Sequence, residues 1–296
     1  MDIAALRVFE AVARVGGMNR AAMELNTVQS NITARIKALE ADIGRPLFER
    51  RPRGVALTAA GRRLLPYAAR AMRLIADARR AARDDGSPRG LLTIGSLETT
   101  AALRLTPLLA GFAANYPNVD LVLRTGTTRE LVAAALEQSV DGAFVCGPVG
   151  QRELAEEVVF REELSLLAAP GISSLAEALG GGTGEVQVVV LRAGCSYRQR
   201  FETMLAHRGI AVRRYLEFGT LEAIFGCVAA GLGITLLPRA LLGPVWAADR
   251  VSIHSLPPRE TRVETLFIHR RDGFASSALR AFLESTKGLP KTAEAA

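Results

Sequence analysis

Few side chains in this sequence can do chemistry, and their spacing limits what they can do. Cys146, Cys195 and Cys227 are odd in number and lack CxxC spacing, so neither a disulfide framework nor a structural zinc site is expected. His207, His254 and His269 stand far apart, with no HExxH and no Cys/His cluster, so no metal and no cofactor is called for. Cys195 precedes a helical stretch, and a helix N-terminus favours thiolate; a redox-sensing thiol is therefore one alternative reading. GGGTG at 180–184 invites a phosphate loop, but no GK[ST] follows and a surface loop is expected. An α/β enzyme with an accessory N-terminal domain is the rival from another class. It finds no GxSxG, no paired histidines and no metal cluster to work with.

What recurs instead are hydroxyls and glycines at the ends of strand-like runs. From Leu91, LLTIG, VDLVLRT and GAFV alternate with helical stretches around 99–115 and 128–138, a βαβαβ unit with a parallel sheet. Further on, ELSLLAAP, VQVVVLR, VRRYLEF, GITLLP and RVETLFIHR are strand-like, with helices near 173–179, 197–208, 220–230 and 274–286. Two doubly wound lobes are indicated. In parallel sheets ligands sit beyond the carboxyl ends of strands, beside helix N-termini that attract anions. Ser96, Glu98, Thr99 and Thr100 form one such corner, Thr127 and Thr128 a second, Gly194, Cys195 and Ser196 a third, and Phe218, Gly219 and Thr220 a fourth; Cys146 ends the third strand. Single hydroxyls there are also ordinary helix caps, but four corners together predict a ligand site. The expected ligand is a small anionic metabolite such as a carboxylate; Glu98 could instead select an amine, leaving an amino-acid-like ligand open.

The N-terminal third carries all of the chain's excess charge. Residues 1–88 hold 16 Lys and Arg against 9 Asp and Glu, while the other 208 residues hold 21 of each sign. A basic module for a polyanion, joined to a neutral one, is implied. Leu6, Phe9, Val12 and Ala13 recur at helical spacing after Asp2, predicting a helix over 3–15 ended by Gly16-Gly17. Asn19 is expected to cap a short helix, RAAMEL, and Thr27 the next one, whose stripe Ile32, Ile36, Leu39 and Ile43 faces the core. A short helix, a tight turn and a longer helix make a helix-turn-helix. Gln29, Ser30 and Thr33, with Arg35, then lie where base edges of double-stranded DNA can be read. Residues 47–58 predict a two-stranded wing bearing Arg50, Arg51 and Arg53 against phosphates. From Thr58 a long helix places Leu64, Ala68, Ala71, Ile75, Ala78 and Ala82 on a heptad seam suited to self-association, with Pro66 expected to bend or interrupt it.

The run L-x-x-F-x-A-V-A from Leu6 to Ala13, RAAMELN, Q-S-x-I-T at Gln29–Thr33, IKALEADIG, PLFER and RG-V-x-LT-x-AG from Arg53 to Gly61 resembles the LysR-type transcriptional regulators. Where that family commonly has Ser-Arg-Gln this chain has Thr33-Ala34-Arg35. TIGSLETTAALRLTPLLAGFAANYPNVDL, DGAFV and GCVAAGLGITLLP extend the resemblance to the second module. It implies an α/β protein with an N-terminal winged helix-turn-helix (1–58), a dimerisation helix and hinge (59–88), and a two-lobed effector-binding domain (89–296) of the type 2 periplasmic-binding-protein fold. Lobe one would span about 91–161 and 266–289, lobe two about 162–265, with the effector between them. Homodimers or homotetramers, promoter DNA and RNA polymerase are the partners implied. With no signal peptide and no run of roughly 18–20 apolar residues, no membrane is expected and a cytoplasmic location follows.

Overall fold

Capping chemistry sets the helix limits at the N-terminus. The Asp2 carboxylate accepts the Ala5 amide at 2.6 Å and opens α1 (Ile3–Val15), which Gly16 closes in the left-handed region. The computed structural model describes residues 1–51, 54–243 and 246–287, so Arg53 and the side chain of Arg50 lie outside the described residues. The second helix, α2 (Met18–Glu24), differs from expectation: it starts directly after the Gly16-Gly17 turn, so Asn19 sits in its first turn instead of capping it. The third, α3 (Gln29–Ile43), is also uncapped by Thr27. Asn26 takes a positive φ of 50° and lengthens the turn by a residue, leaving Val28 at the cap and Thr27 Oγ1 accepting from Asn31 Nδ2 at 3.0 Å. Ile32, Ile36 and Leu39 are buried with Phe9, Val12 and Leu47; Ile43 is not, because the helix outruns the core and leaves it 37% exposed.

The wing is β1 (Phe48–Arg51) paired antiparallel with β2 (Gly54–Leu57). It is fixed from two sides. The Glu40 carboxylate of α3 accepts the Leu47 and Phe48 amides at 2.7 and 3.1 Å, and the Val55 amide donates to the Gly16 carbonyl at 3.2 Å. At Gly54 any Cβ would strike that same carbonyl. Thr58 then caps α4 (Ala59–Arg83), accepting from Gly61, and the helix runs through Pro66 without a break. Leu64 and Ala68 of the seam are spent on the unit's own core, Ala71 and Ile75 are half-buried, and Ala78 and Ala82 are exposed. A Cβ on Gly61 would overlap the Leu47 carbonyl, which is backbone and cannot swing aside. Gly61→Ala should therefore cost the first unit about 1–3 kcal/mol, read as a lower thermal midpoint of its α-helical signal; an unchanged midpoint would show that the 46–47 segment yields freely.

Met1–Asp84 and Asp85–Ala296 form two compact units. In the second, β3 (Gly90–Ser96) is flanked by parallel neighbours, β4 (Val119–Thr125) and β5 (Gly142–Cys146). The helix between β3 and β4 is α5 (Glu98–Thr100), a π turn over Ala101–Leu105 and α6 (Thr106–Asn115); α7 (Thr128–Leu136) links β4 to β5. The next strand is far longer than ELSLLAAP predicts. It is β6 (Leu154–Ala168), whose first part pairs with a late returning strand and whose last part enters the other lobe. That lobe holds α8 (Leu175–Ala178), β7 (Glu185–Leu191), α9 (Ser196–His207), β8 (Ala211–Phe218), α10 (Leu221–Ala229), β9 (Thr235–Pro238) and β10 (Ser252–His254). β7 and β8 are parallel, while β9 and β10 both pair antiparallel with β6. The single turn α11 (Pro258–Thr261) leads into the returning β11 (Arg262–Arg270), antiparallel to both β5 and β6, and α12 (Ser277–Lys287) closes the first lobe. Lobe one is cored by Phe112, Phe144, Phe160, Phe267 and Phe282, lobe two by Phe201, Ile224 and the stacked Phe225 and Trp246. No helix among the described residues is long and apolar enough to cross a membrane.

Candidate functional site

The N-terminal unit offers a groove walled by α2, α3 and the wing. Gln29, Thr33 and Lys37, spaced by four along α3, share it with Arg20 and Arg51. Gln29 and Ser30 are exposed and Thr33 half-buried. Arg35 is exposed but does not line the groove: two residues past Thr33 it is rotated by about 200° around the helix. Arg51 leans on Glu49 at 2.8 Å. Arg20 and Lys37 were not picked out from sequence; the i, i+4, i+8 spacing from Gln29 could have found Lys37.

In the second unit, strand ends and helix starts from both lobes meet. Glu98, Thr99, Thr127, Thr128 and Cys146 of lobe one face Cys195, Ser196 and Gly219 of lobe two across one cleft, with Leu97, Gly126, Leu191, Arg192 and Tyr197 added by the fold. The lobes touch at Gly194, where an added Cβ would lie 3.0 Å from Thr127 Oγ1 at a φ of 100°. Five of the predicted residues do not line the cleft. Ser96 is fully buried and donates to the Leu97 carbonyl; Thr100 is fully buried, its hydroxyl unpartnered. Phe218 packs on the lobe-two core, Thr220 caps α10 by accepting from Ala223, and Gly194 supplies the close approach.

Several hydroxyls are already committed to structure. Thr127 closes a capping box with Glu130, its Oγ1 accepting the Glu130 amide while the Glu130 carboxylate takes the Thr127 amide at 2.8 Å. These bonds hold the Glu130 carboxyl below its ordinary range. The Thr99 hydroxyl donates to Tyr197 Oη, which donates to the Glu162 carboxylate on β6, both at 3.4 Å. Burial pushes the Glu162 carboxyl up, against the pull of Arg104 at 3.8 Å. Glu98 is also raised by burial, with Arg192 opposing and Glu222 adding to the shift.

The thiols lie at the cleft but are not primed for attack. Burial pushes Cys146 up to about 11, and Cys195 rises for the same reason although the Arg198 and Tyr197 amides favour its thiolate. Desolvation thus outweighs the helix N-terminus. Iodoacetamide at pH 7.5 should modify half-buried Cys227 first, with Cys146 and Cys195 at least about tenfold slower; faster loss of Cys195 in peptide mass spectra would revive the redox reading. GGGTG runs into β7 and not into a helix, so it lacks a phosphate loop's helix N-terminus.

A DNA-sized basic module carrying a winged helix-turn-helix, followed by a two-lobed module with a cleft, defines a ligand-responsive DNA-binding regulator. Residues 3–62 match the family model described as "Bacterial regulatory helix-turn-helix protein, lysR family", and 85–289 the "LysR substrate binding domain". The HTH-type transcriptional regulators GltR and YofA of Bacillus subtilis (strain 168) are 41% and 40% identical, aligned over 96% and 98% of this chain and 95% and 100% of their own. A crystal structure of full-length CbnR complexed with its target DNA superposes with a TM-score of 0.63 at 25% identity, covering 97% of this chain and 99% of that one. The chain belongs to the LysR family of transcriptional regulators: it is a DNA-binding regulator with an effector-binding domain, and the family's members are not enzymes.

Proposed function

We propose that this regulator reads promoter DNA as a dimer or dimer of dimers and answers to a small amino-acid-like effector held between the lobes. The observation that carries the effector class is the pairing of opposite charges in one cleft: Glu98 on lobe one and Arg192 on lobe two, beside the N-termini of α7 and α9. An ammonium suits Glu98, and a carboxylate suits Arg192 and the positive ends of the two helices. Residues 1–58 would bind DNA through Thr27, Gln29, Ser30, Thr33, Arg35 and the wing arginines, 59–88 would pair two copies along the exposed part of the α4 seam, and 89–296 would take the effector. Closure of the lobes would alter the spacing of the DNA-binding pairs and so their engagement of promoter and RNA polymerase, in the cytoplasm.

Footprinting upstream of the chain's own gene and its divergent neighbour, at several salt concentrations, tests the DNA half. A protected pseudo-palindrome whose affinity falls steeply with salt is expected; no protected site would sink it. Calorimetric titration of the full chain against amino acids tests the effector half, and the raised Glu98 gives it a pH signature. Ammonium binding needs Glu98 ionised, so affinity should fall as acid is added, starting above the pH at which an ordinary glutamate protonates. Affinity that is flat with pH, or that is unchanged in Glu98→Gln and equalled by simple carboxylates, would point to an anionic effector without the amine.

A further inference from the structure

The effector cleft opens into a second chamber through Thr128, Cys146 and Ser196, which line both. The cleft encloses only about 30 Å³, the chamber about 600 Å³, which lies within the range of small-molecule sites. Its walls come from both lobes: Arg129 on α7 and residues 147–151 on one side, Arg200 and Arg208 on α9 with Arg259 on α11 on the other. The chamber's single lining carboxylate, Glu260, is spent on Arg208 at 2.7 Å. Arg129, Arg200 and Arg259 have no acidic partner among the described residues; Arg200 donates to the Gly147 carbonyl at 3.4 Å and lies against the Cys146 thiol.

We propose that this chamber is a second binding site, for a small anion of charge two or more such as a polycarboxylate or a phosphate ester. Three unmatched guanidiniums around one concavity repel each other and focus a positive field into it, a cost that a multivalent anion removes. Guanidinium also matches carboxylate and phosphate oxygens in paired hydrogen bonds, which lysine would not provide. Because the arginines come from both lobes, an anion bridging them stabilises the arrangement in which the lobes stand this close. The site does not depend on the effector assigned to the first cleft.

Calorimetry on the full chain at constant ionic strength tests this, with citrate and inorganic pyrophosphate as multivalent probes and acetate as the monovalent control. One citrate or pyrophosphate per chain is expected, with acetate silent at the same concentration; preference between the two separates the carboxylate from the phosphate source. Arg200→Gln and Arg259→Gln should each weaken binding tenfold or more, while Arg161→Gln, which removes an arginine that lines neither site, leaves it unchanged. Thermal melts without anion check folding, and Arg259→Gln, at an exposed position on a single turn, carries the test if Arg200→Gln unfolds. Binding no better than acetate, or binding that survives both substitutions, overturns the proposal. Citrate binding that disappears in Arg192→Gln but not in Arg200→Gln or Arg259→Gln would overturn it too, by moving the anion to the first cleft.

Discussion

Replacing Gln29 and Thr33 together by alanine should bring operator affinity down to the level of unrelated DNA while leaving the salt dependence of binding as it was. The two side chains stand one turn apart on α3, in the groove shared with Arg20, Lys37 and Arg51, and neither is buried in the core, which Ile32, Ile36 and Leu39 hold from the adjoining face. A good side-chain contact to a base edge discriminates by about 1–3 kcal/mol, so two together amount to on the order of a hundredfold or more per half-site. The arginines proposed to meet phosphates are untouched, and contacts of that kind set the salt slope. Fluorescence anisotropy with operator and scrambled duplexes at several salt concentrations separates the two effects. If the operator-to-scrambled ratio survives, the readers lie elsewhere, with Arg20 and Lys37 next in line. Ala34→Arg, which restores an arginine at the family's usual place, should shift base preference at one position per half-site.

The second large effect is expected at Gly194. Its φ of 100° is one that a β-branched residue avoids, and a Cβ there would lie 3.0 Å from Thr127 Oγ1 and 3.4 Å from Arg129 Cβ of the facing lobe. Valine there adds backbone strain of about 1–3 kcal/mol and overpacking of similar size. The overpacking acts only when the lobes are together, whereas the backbone strain weighs on the turn in any arrangement. Effector affinity should fall about tenfold or more, with binding of operator DNA in the absence of effector preserved. Equal effector affinity in Gly194→Val would mean that the Gly194–Thr127 contact is not part of the bound state.

Much of this was legible in the sequence because short-range chemistry wrote it there. Asp2 and Gly16 bound α1 by capping and by a left-handed turn, and Thr58 does the same for α4; these signals act within four residues. Strands β3, β4 and β5 are readable because β-branched runs end at glycine or threonine. The starts of α2 and α3 were misplaced by one or two residues, since a glycine pair and a left-handed Asn26 override the side-chain caps that Asn19 and Thr27 offer. β6 was only half seen: Glu156, Glu157, Arg161, Glu162 and Glu163 interrupt its apolar pattern, and its backbone pairing with β11 over a hundred residues away carries it instead. At the cleft, sequence located the corners but could not tell a lining hydroxyl from a capping one, as Thr220 illustrates. Arg129, Arg200 and Arg259 lie on three separate segments, and each taken singly looks like the solvated face of a helix; only the tertiary fold sets them around one chamber.

The uninterrupted course of β6 has a mechanical consequence. Its residues 154–163 pair with β11 and 164–168 with β9 and β10, and the ladder with β11 shifts register at Val159, the extra residue of β6 opposite Thr265 and Leu266. A linker of this kind behaves as a leaf spring and not as a free swivel: its hydrogen-bonded ladder resists stretching and shear, and yields most readily to twist and bending at the bulge. Any change in how the lobes stand would then load this ribbon, and its ladder would act to restore the starting arrangement. The bulge at Val159 is thus the place where altered stiffness would change the coupling of the two lobes without touching the cleft between them.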